Sequence, residues 1–335
     1  MINGILFAPT GSVARLALLF ILIPLNACIL EPSADEVSVF DGSFLADRPG
    51  SDSYPIVFSH GFLSSAEKGF SDEIAQALAS DGFTVYKTGV PKIDSVANRA
   101  AALGRQIEFI LAETGALKVH IIAHSMGGLD ARYLAARVSD PFGTNSLFSS
   151  RIASISTMST PHRGSNLADI AFGLTRTFDP DQKAATLLLD LSESDNLPAA
   201  LHDLTEKHAP TFNENTPDQD GVYYQSWAGL SNTLGIVRVN DRAVCEMGLR
   251  AKLWVPLKRD RLRNLFVKTA PFLRGPLALI PHDGVVTVRS AKWGEFRGCI
   301  PADHLDESKA LVDEHTGFDS ISFYKEVAAE LATIQ

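Results

Sequence analysis

The sequence has little of what nucleic-acid-binding and phosphate-binding proteins need. Its 335 residues carry 30 Lys and Arg against 39 Asp and Glu, a net charge of −9, whereas phosphate backbones are bound by concentrated positive charge. It contains no glycine-rich phosphate loop, no Cys-x-x-Cys metal pair, no internal repeat and no low-complexity tract. These absences argue against a nucleic-acid partner, and the 45% hydrophobic content predicts a globular chain with a large core.

A hydrophobic run long enough to span a membrane is missing from the N-terminus. Residues 1–27 hold one cation, Arg15, and no acid, and their apolar run from Leu16 to Ile23 is shorter than the roughly 20 residues of a spanning helix. This pattern is typical of a signal peptide. The next motif, Leu-Asn-Ala-Cys ending at Cys28, resembles the lipobox of bacterial lipoproteins, in which the cysteine is acylated.

The lipobox resemblance implies an exported chain that is lipid-anchored through Cys28 in the bacterial envelope, on the periplasmic or outer-membrane face. Asn26 is an unusual residue in such a box, so ordinary signal cleavage with secretion, and an uncleaved anchor, remain alternatives. On this interpretation residues 1–27 are the signal peptide, residues 28–53 are a tether, and residues 54–335 form the folded domain.

Cysteines are scarce, with three in the chain. If Cys28 carries lipid, Cys245 and Cys299 remain as an even pair in an oxidising compartment, which favours a disulfide bond between them. Two free thiols are the alternative.

The pattern around Ser125 predicts a strand, a sharp turn and a helix. Residues 118–128 read Lys-Val-His-Ile-Ile-Ala-His-Ser-Met-Gly-Gly, and a helix-compatible segment follows from Leu129 to Val138. A serine on such a turn is held above the sheet edge, where its oxygen can attack a carbonyl and the next amide, that of Met126, can bind the oxyanion. A turn of small residues without chemistry is the alternative interpretation.

The chain before Ser125 alternates between strands and helices, which predicts right-handed crossovers and a mostly parallel sheet. The first strand, Tyr54 to Phe58, runs into Ser-His-Gly-Phe, where Gly61 lets the backbone approach a substrate and the amide of Phe62 becomes the second oxyanion donor. The remaining predicted elements here are the helices 72–80 and 97–114 and the strand 84–86.

Four motifs recur in one known family. They are His-Gly-Phe at 60–62, Ala-His-Ser-Met-Gly-Gly-Leu-Asp-Ala-Arg at 123–132, Ser-Thr-Pro-His-Arg-Gly-Ser at 159–165 and Tyr-Tyr-Gln-Ser-Trp-Ala-Gly at 223–229. Together they resemble the secreted bacterial true-lipase family, the Pseudomonas and Burkholderia type of triacylglycerol lipase. The resemblance implies an α/β-hydrolase fold with a helical lid at about 166–215, of which Leu187 to Leu189 is the part expected to move.

The acid and the base are expected downstream of the serine. Asp-Gly-Val-Val begins at Asp283, and Asp-His-Leu-Asp-Glu contains His304; both resemble motifs of the lipase family. The chain order Ser125, Asp283, His304 is the order found in α/β-hydrolases. His162 precedes the acid and is interpreted as a structural histidine.

Two further features follow from the lipase resemblance and from charge. Asp306 matches a calcium ligand of the family, with Asp241 and Asp260 as the acids available for a second ligand; a loop aspartate is the alternative. Residues 233–281 hold ten Lys and Arg against three acids, so this basic insertion either meets an anionic lipid surface or is solvated.

These residues predict a serine carboxylic-ester hydrolase, a lipase or esterase of acylglycerols, whose chemistry needs no cofactor. The expected partners are an ester lipid and, through the anchor, a membrane. An acyltransferase or a phospholipase with the same triad is one alternative. A non-catalytic lipoprotein binding module is the other.

Overall fold

A computed structural model describes residues 37–40, 50, 53–141, 143, 146–177, 196–230, 244–245, 280–309 and 318–334 of the chain. Several predicted features lie outside these residues: the signal peptide, Cys28, Leu187 to Leu189, and nearly all of the basic insertion. No helix within the described ranges is long and apolar enough to cross a membrane.

The centre of the fold is a seven-stranded sheet with the order β1-β3-β2-β4-β5-β6-β7. Every neighbouring pair is parallel except the edge pair of β1 with β3. The strands are β1 (Val37–Phe40), β2 (Ile56–Ser59), β3 (Val85–Thr88), β4 (Val119–His124), β5 (Ile152–Met158), β6 (Tyr223–Gly229) and β7 (Glu295–Ile300).

Helices connect the strands and cover both faces of the sheet. In chain order they are α1 (Ala66–Gly69), α2 (Asp72–Ser80), α3 (Val96–Thr114), α4 (Met126–Arg137), α5 (Asn166–Thr177), α6 (Leu197–Asp203), α7 (Ala209–Asn215), α8 (Val288–Ala291) and α9 (Ser320–Leu331). Short 3-10 turns lie at Phe148–Arg151 and Asp306–Ser308. This is the predicted α/β-hydrolase architecture of a mostly parallel sheet flanked by helices.

Local sequence signals explain where the helices before Ser125 begin and end. The side chain of Ser71 accepts a hydrogen bond from the Ile74 amide at the start of α2, and Ser95 does the same for Asn98 at the start of α3, as helix-capping serines do. Gly115 then ends α3 in a left-handed conformation, with φ of 70°, which glycine adopts without strain.

The core consists of one hydrophobic layer on each face of the sheet. Helices α3 and α4 pack on one face, where Leu103, Ile107 and Leu134 belong to the same cluster as Ile121. Helices α2 and α9 pack on the other, where Ile74, Tyr324 and Leu331 belong to the same cluster as Phe58. Because both faces of β4 are covered, all six of its residues are buried, as is usual for a central parallel strand.

The first strand lies within the segment for which the sequence predicted a tether, residues 28–53. Val37 to Phe40 pairs antiparallel with β3, with Val37 opposite Thr88 and Phe40 opposite Val85. The tether prediction was therefore wrong for these four residues. Val-Ser-Val-Phe is a short β-prone sequence, and its pairing depends on the open edge of β3, which local sequence does not show.

The two cysteines of the predicted pair, Cys245 and Cys299, are joined in a disulfide bond, and their Cα atoms lie 5.5 Å apart. Cys299 is on β7, so the bond fixes residue 245 to the edge of the sheet beside Val286 and Val288. In the chain-entropy account, a cross-link between residues 54 positions apart stabilises the fold by about 4 kcal/mol.

Four of the buried histidines resist protonation in the folded state. Burial is the main cause in each case: it lowers the pKa of His60 to about 3, of His120 to about 4 and of His124 to about 3, and it lowers that of His162 well below the ordinary value of 6.5. Below pH 6.5 the unfolded chain therefore binds protons that the native chain does not. The stability that these neutral histidines contribute is complete above pH 6.5 and is lost as the pH falls towards 4.

We expect the free energy of unfolding to fall by about 2–4 kcal/mol between pH 7 and pH 5. Three buried carboxyl groups act in the opposite direction, because burial raises the pKa of Asp130 and Asp303 to about 6 and that of Glu307 well above its ordinary value. The histidines are more numerous than these carboxyl groups, so their effect prevails.

Urea unfolding at the two pH values measures this fall. His120→Gln provides the matched variant, since it removes one titrating group and keeps a polar partner for Ser154, whose hydroxyl lies 2.8 Å from His120 Nδ1. The fall should be smaller by about 2 kcal/mol in the variant. Equal falls in wild type and variant would contradict the assignment of this pH dependence to the buried histidines.

Candidate active site

Ser125 occupies the sharp turn between β4 and α4. Its φ of 55° and ψ of −130° lie in a region that non-glycine residues rarely adopt. The turn is fixed on both sides, because the Ser125 amide donates to the Met158 carbonyl at 2.9 Å and the Thr160 hydroxyl donates to the Ser125 carbonyl at 2.8 Å. The small residue at Gly127 is required, since a Cβ there would lie 2.6 Å from the Ser59 carbonyl oxygen.

His304 connects Ser125 to Asp283. Its Nε2 lies 2.9 Å from the Ser125 hydroxyl oxygen, and its Nδ1 lies 2.7 Å from Asp283 Oδ2. The backbone adds a further link, because the His304 amide donates to the Asp283 carbonyl at 3.1 Å. The structure thus brings together three residues that are up to 179 positions apart in the sequence, and the arrangement can pass a proton from a serine to an imidazole held by a carboxylate.

The environment of Asp283 favours the carboxylate over the acid. Burial by itself would raise the pKa of Asp283, which is fully buried, but the charge and hydrogen bond of His304 and two backbone amides lower it below the ordinary value. Those amides belong to Val285 and Val286 and donate to Oδ1 at 2.8 and 2.7 Å. Oδ2 is therefore left for His304, which selects the tautomer with its proton on Nδ1.

The two predicted oxyanion donors flank the serine. Met126 is the first residue of α4, and the first amides of a helix have no partner within the helix. Gly61, the residue before Phe62, lies against Ser125 so closely that a Cβ there would be 2.6 Å from the serine Cβ. The Phe62 side chain packs with Met126 and Leu129.

A buried ion pair that the sequence interpretation did not identify supports the His60–Gly61 turn. Arg99 on α3 and Asp130 on α4 are fully buried, and Arg99 Nε donates to Asp130 Oδ2 at 2.9 Å. Another nitrogen of Arg99 donates to the His60 carbonyl at 2.8 Å. A possible signal was that both charges lie on otherwise apolar helix faces, where charged residues are rarely buried without a partner.

Glu307 is a second site residue that the sequence interpretation missed. It is completely buried, its Oε1 accepts a 2.6 Å hydrogen bond from Ser159, and its Oε2 lies 3.2 Å from His124 Nε2. Burial first, and the charge of Asp283 second, raise the pKa of Glu307 well above its ordinary value, which favours the neutral acid at this position behind the serine, histidine and aspartate. Its position three residues after His304 was the available signal.

Two further histidines, His162 and His282, have structural roles. His162 is fully buried against Trp293 and within 3.1 Å of the Thr157 hydroxyl, as expected for a structural residue. His282 accepts a hydrogen bond from the Gly284 amide at 2.8 Å within its own turn.

Comparisons with known proteins agree with this geometry. A family model for the alpha/beta hydrolase fold matches residues 54–220. A triacylglycerol lipase of Pseudomonas fragi is 31% identical over 283 residues, which cover 76% of this chain and 87% of the relative. A triacylglycerol lipase of Vibrio cholerae is 28% identical over 309 residues, which cover 83% of this chain and 87% of the relative. This chain belongs to the bacterial lipase family of the α/β-hydrolase superfamily.

A solved structure shows the same fold. The mature form of a Bacillus licheniformis lipase superimposes with a TM-score of 0.55 at 19% identity, over 89% of this chain and 98% of that chain. Membership in the family makes the chain a serine ester hydrolase, and the reaction of such an enzyme requires no cofactor.

The described residues do not by themselves fit the calcium site that the lipase resemblance implied. Calcium needs six to eight oxygen ligands, and within the described part of the chain Asp306 belongs to no group of three or more acidic, histidine or cysteine side chains that could share an ion. Asp241 and Asp260, the predicted sources of a second ligand, lie outside the described residues.

Replacing Gly61 with alanine is expected to lower kcat/KM for ester substrates by about 100-fold, because displacing the reacting groups by about 1 Å costs that much. The added methyl group would meet Ser125 Cβ at 2.6 Å. Gly173→Ala on α5 is the control, since a Cβ there has nothing within 4 Å. Equal rates for the two variants would mean that Gly61 does not position the backbone at the serine.

Proposed function

We propose that this chain is a lipase that hydrolyses acylglycerol esters through an acyl-enzyme on Ser125. The observation that carries the proposal is the continuous hydrogen-bonded path from the Ser125 hydroxyl through His304 to the buried Asp283, at 2.9 and 2.7 Å. The similarity to the triacylglycerol lipases of Vibrio cholerae and Pseudomonas fragi supports the acylglycerol substrate.

In the first half of the reaction, His304 Nε2 takes the Ser125 proton while the serine oxygen bonds to the ester carbonyl carbon. The amides of Phe62 and Met126 bind the oxyanion, and each such donor is worth on the order of 3 kcal/mol. The oxyanion then collapses, the bond to the alcohol breaks, and His304 returns its proton to the departing alcohol.

In the second half, water attacks the acyl-enzyme. His304 takes a proton from the water as its oxygen bonds to the acyl carbon, and gives it back to Ser125 Oγ as the fatty acid leaves. Asp283 remains charged throughout and stabilises the imidazolium form of His304.

An apolar cluster beside the serine suits the acyl chain of such a substrate. Helices α5, α6 and α7 contribute Ala168, Ala200 and Phe212 to the cluster that includes Met126, and Leu204, directly after α6, belongs to it as well. These helices belong to the segment predicted as the lid, 166–215, and we infer that the lid presents this apolar surface to the lipid.

A fluorophosphonate probe tests the nucleophile, and the rates on triacylglycerols and p-nitrophenyl esters of increasing chain length test the substrate. We expect labelling of Ser125 in the wild type and faster turnover of long-chain than of acetyl esters. An unlabelled Ser125 would favour the non-catalytic binding module. Dominant ester transfer to an added alcohol, or faster cleavage of phospholipid, would instead favour an acyltransferase or a phospholipase.

We propose that Cys28 anchors the enzyme in the bacterial envelope, with the basic insertion 233–281 as a second contact to anionic lipid. The support is the lipobox resemblance and the local excess of ten Lys and Arg over three acids. Radiolabelled palmitate should enter the wild type and not Cys28→Ala. Equal incorporation, or none in either, would contradict the anchor.

We also propose that calcium steadies the loop at Asp306, with Asp241 or Asp260 supplying a further ligand. The support is the family resemblance of the sequence around His304. The calcium-selective chelator EGTA should lower the Tm of the wild type and leave that of Asp306→Asn unchanged. A wild-type Tm that does not respond to EGTA and calcium would refute the site.

A further inference from the structure

Two histidines and an aspartate cluster at the turn between α6 and α7, apart from the residues of the active site. Asp203 is the last residue of α6, His202 precedes it, and His208 lies directly before α7. One nitrogen of each imidazole is directed at the same carboxylate oxygen: His202 Nδ1 is 3.5 Å and His208 Nε2 is 3.7 Å from Asp203 Oδ1. All three potential ligand atoms lie within 4.8 Å of one another.

These separations are too long for hydrogen bonds, which need about 2.7–3.2 Å. They match the spacing of atoms bound to one metal ion instead. With metal–ligand bonds of about 2.0–2.2 Å and tetrahedral angles, two ligand atoms are about 3.4 Å apart. The carboxylate and imidazole atoms are therefore spaced as if around a common centre.

The carboxylate is oriented by the neighbouring helix. Asp203 Oδ2 accepts a 2.8 Å hydrogen bond from the amide of Val96, the first residue of α3, which leaves Oδ1 directed at the imidazoles. Hydrogen bonds of this kind to the second oxygen are what orient carboxylate ligands in metal sites.

The two imidazoles are also held in place. Their ring centroids lie 4.3 Å apart, and Phe172 packs against His202 at 5.4 Å. The hydroxyl of Thr205 fixes the turn, since it donates to the His202 carbonyl at 2.7 Å and accepts from the His208 amide at 3.2 Å. Little conformational freedom is left to lose on binding an ion.

An ion can reach this cluster from solvent. The side chain of His202 is 47% exposed, that of His208 23% and that of Asp203 16%.

We propose that His202, Asp203 and His208 form a binding site for a divalent transition metal of the zinc type. Two imidazoles and one carboxylate suit Zn²⁺, whereas Ca²⁺ and Mg²⁺ prefer oxygen ligands alone. A water molecule completes the fourth position. The ion joins α6 and α7 to each other and, through Asp203, to the start of α3.

The site adjoins the apolar cluster beside the serine. Val96, which holds Asp203, belongs to the same cluster as Met126 and Phe62. A bound ion would therefore stabilise the base of the predicted lid against the turn that carries the oxyanion amide of Phe62.

A second group of potential ligands, His124, His304 and Glu307, lies within the active site. An ion there would block the imidazole that must take the serine proton, and would inhibit. Inhibition thus reports on that group, whereas thermal stabilisation that depends on His202 and His208 reports on the proposed site.

The experiment compares untagged full-length wild type with the double variant His202→Gln/His208→Gln by calorimetric titration of ZnCl₂ and by thermal unfolding. With zinc at about 100 times its Kd, the wild-type Tm should rise by roughly 5 °C. Since outer hydrogen-bond partners alone are worth about 10–100-fold in metal affinity, loss of both imidazoles should weaken binding by roughly 100-fold or more.

Glu206→Gln is the matched control, because it removes a charge from the same turn and leaves the three ligands in place; its zinc affinity and Tm rise should equal those of the wild type. Cobalt supports the proposal if it gives a tetrahedral visible spectrum in the wild type and in Ser125→Ala, but not in the double variant. Equal zinc affinity of wild type and double variant would overturn the proposal, as would inhibition by zinc without any rise in Tm.

Discussion

Ser125→Ala is expected to lower kcat for ester hydrolysis by about 10⁶-fold, the loss that follows when the nucleophile of such a triad is removed. The alanine keeps the turn and both amides at Phe62 and Met126, so binding of substrate changes little. What disappears is the atom that forms the acyl-enzyme, and with it the 2.9 Å hydrogen bond to His304. Only stabilisation of the oxyanion by the two amides remains.

Initial rates on a p-nitrophenyl ester, with Tm as a check of folding, measure this loss. Ser80→Ala is the control, since Ser80 is exposed and its hydroxyl bonds only locally, to the Gln76 carbonyl at 2.8 Å. A Ser125→Ala enzyme that retains more than about 1% of the wild-type rate would assign the nucleophile to another residue.

Asp283→Asn is expected to lower kcat by about 10⁴-fold with little change of fold. The amides of Val285 and Val286 can still donate to the asparagine oxygen. That leaves the amide NH₂ facing His304 Nδ1, so the imidazole must place its proton on Nε2. In this tautomer it cannot accept the serine proton, and no negative charge stabilises the imidazolium.

Asp303→Asn is the matched control for Asp283→Asn. Asp303 is also buried and also accepts two backbone amides, those of Leu305 and Asp306 at 3.0 Å, but it makes no hydrogen bond to the His304 imidazole in the described structure. Its variant should keep kcat within about 10-fold of the wild type. Equal losses in the two variants would mean that loop stability, and not the tautomer, accounts for the effect.

Periodicity was sufficient for the helices that carry strong local signals. The bounds predicted for the helix at 72–80 are those of α2, because an apolar stripe and a capping side chain occur together there. The strands β2, β3 and β4 were also located within a few residues.

Elements whose stability depends on distant partners were not predicted. Strand β7 reads Glu-Phe-Arg-Gly-Cys-Ile, without a continuous apolar run, and it forms because β6 offers an edge and Cys299 is tied to Cys245. Helix α8 has only four residues. It too depends on a distant partner, because its Ser290 hydroxyl donates a hydrogen bond to the Gly164 carbonyl.

At the active site, too, some residues were predicted from the sequence and others, which depend on distant partners, were not. Motifs and their chain order predicted the contacts among Ser125, Asp283 and His304, since the chemistry restricts residue type. The buried supports, Arg99 with Asp130 and Glu307 with Ser159, could not be found in this way, because the pairing of charges within the core depends on which helices and loops become neighbours.

The strand β1 limits how far the enzyme can reach from a membrane. With lipid on Cys28, as proposed above, only residues 29–36 separate the acylated cysteine from Val37 at the sheet edge. Whatever their conformation, nine Cα–Cα steps span at most about 30 Å. The enzyme would thus stay within roughly its own diameter of the bilayer that holds it. Its substrates would then be esters in, or emerging from, that same membrane surface.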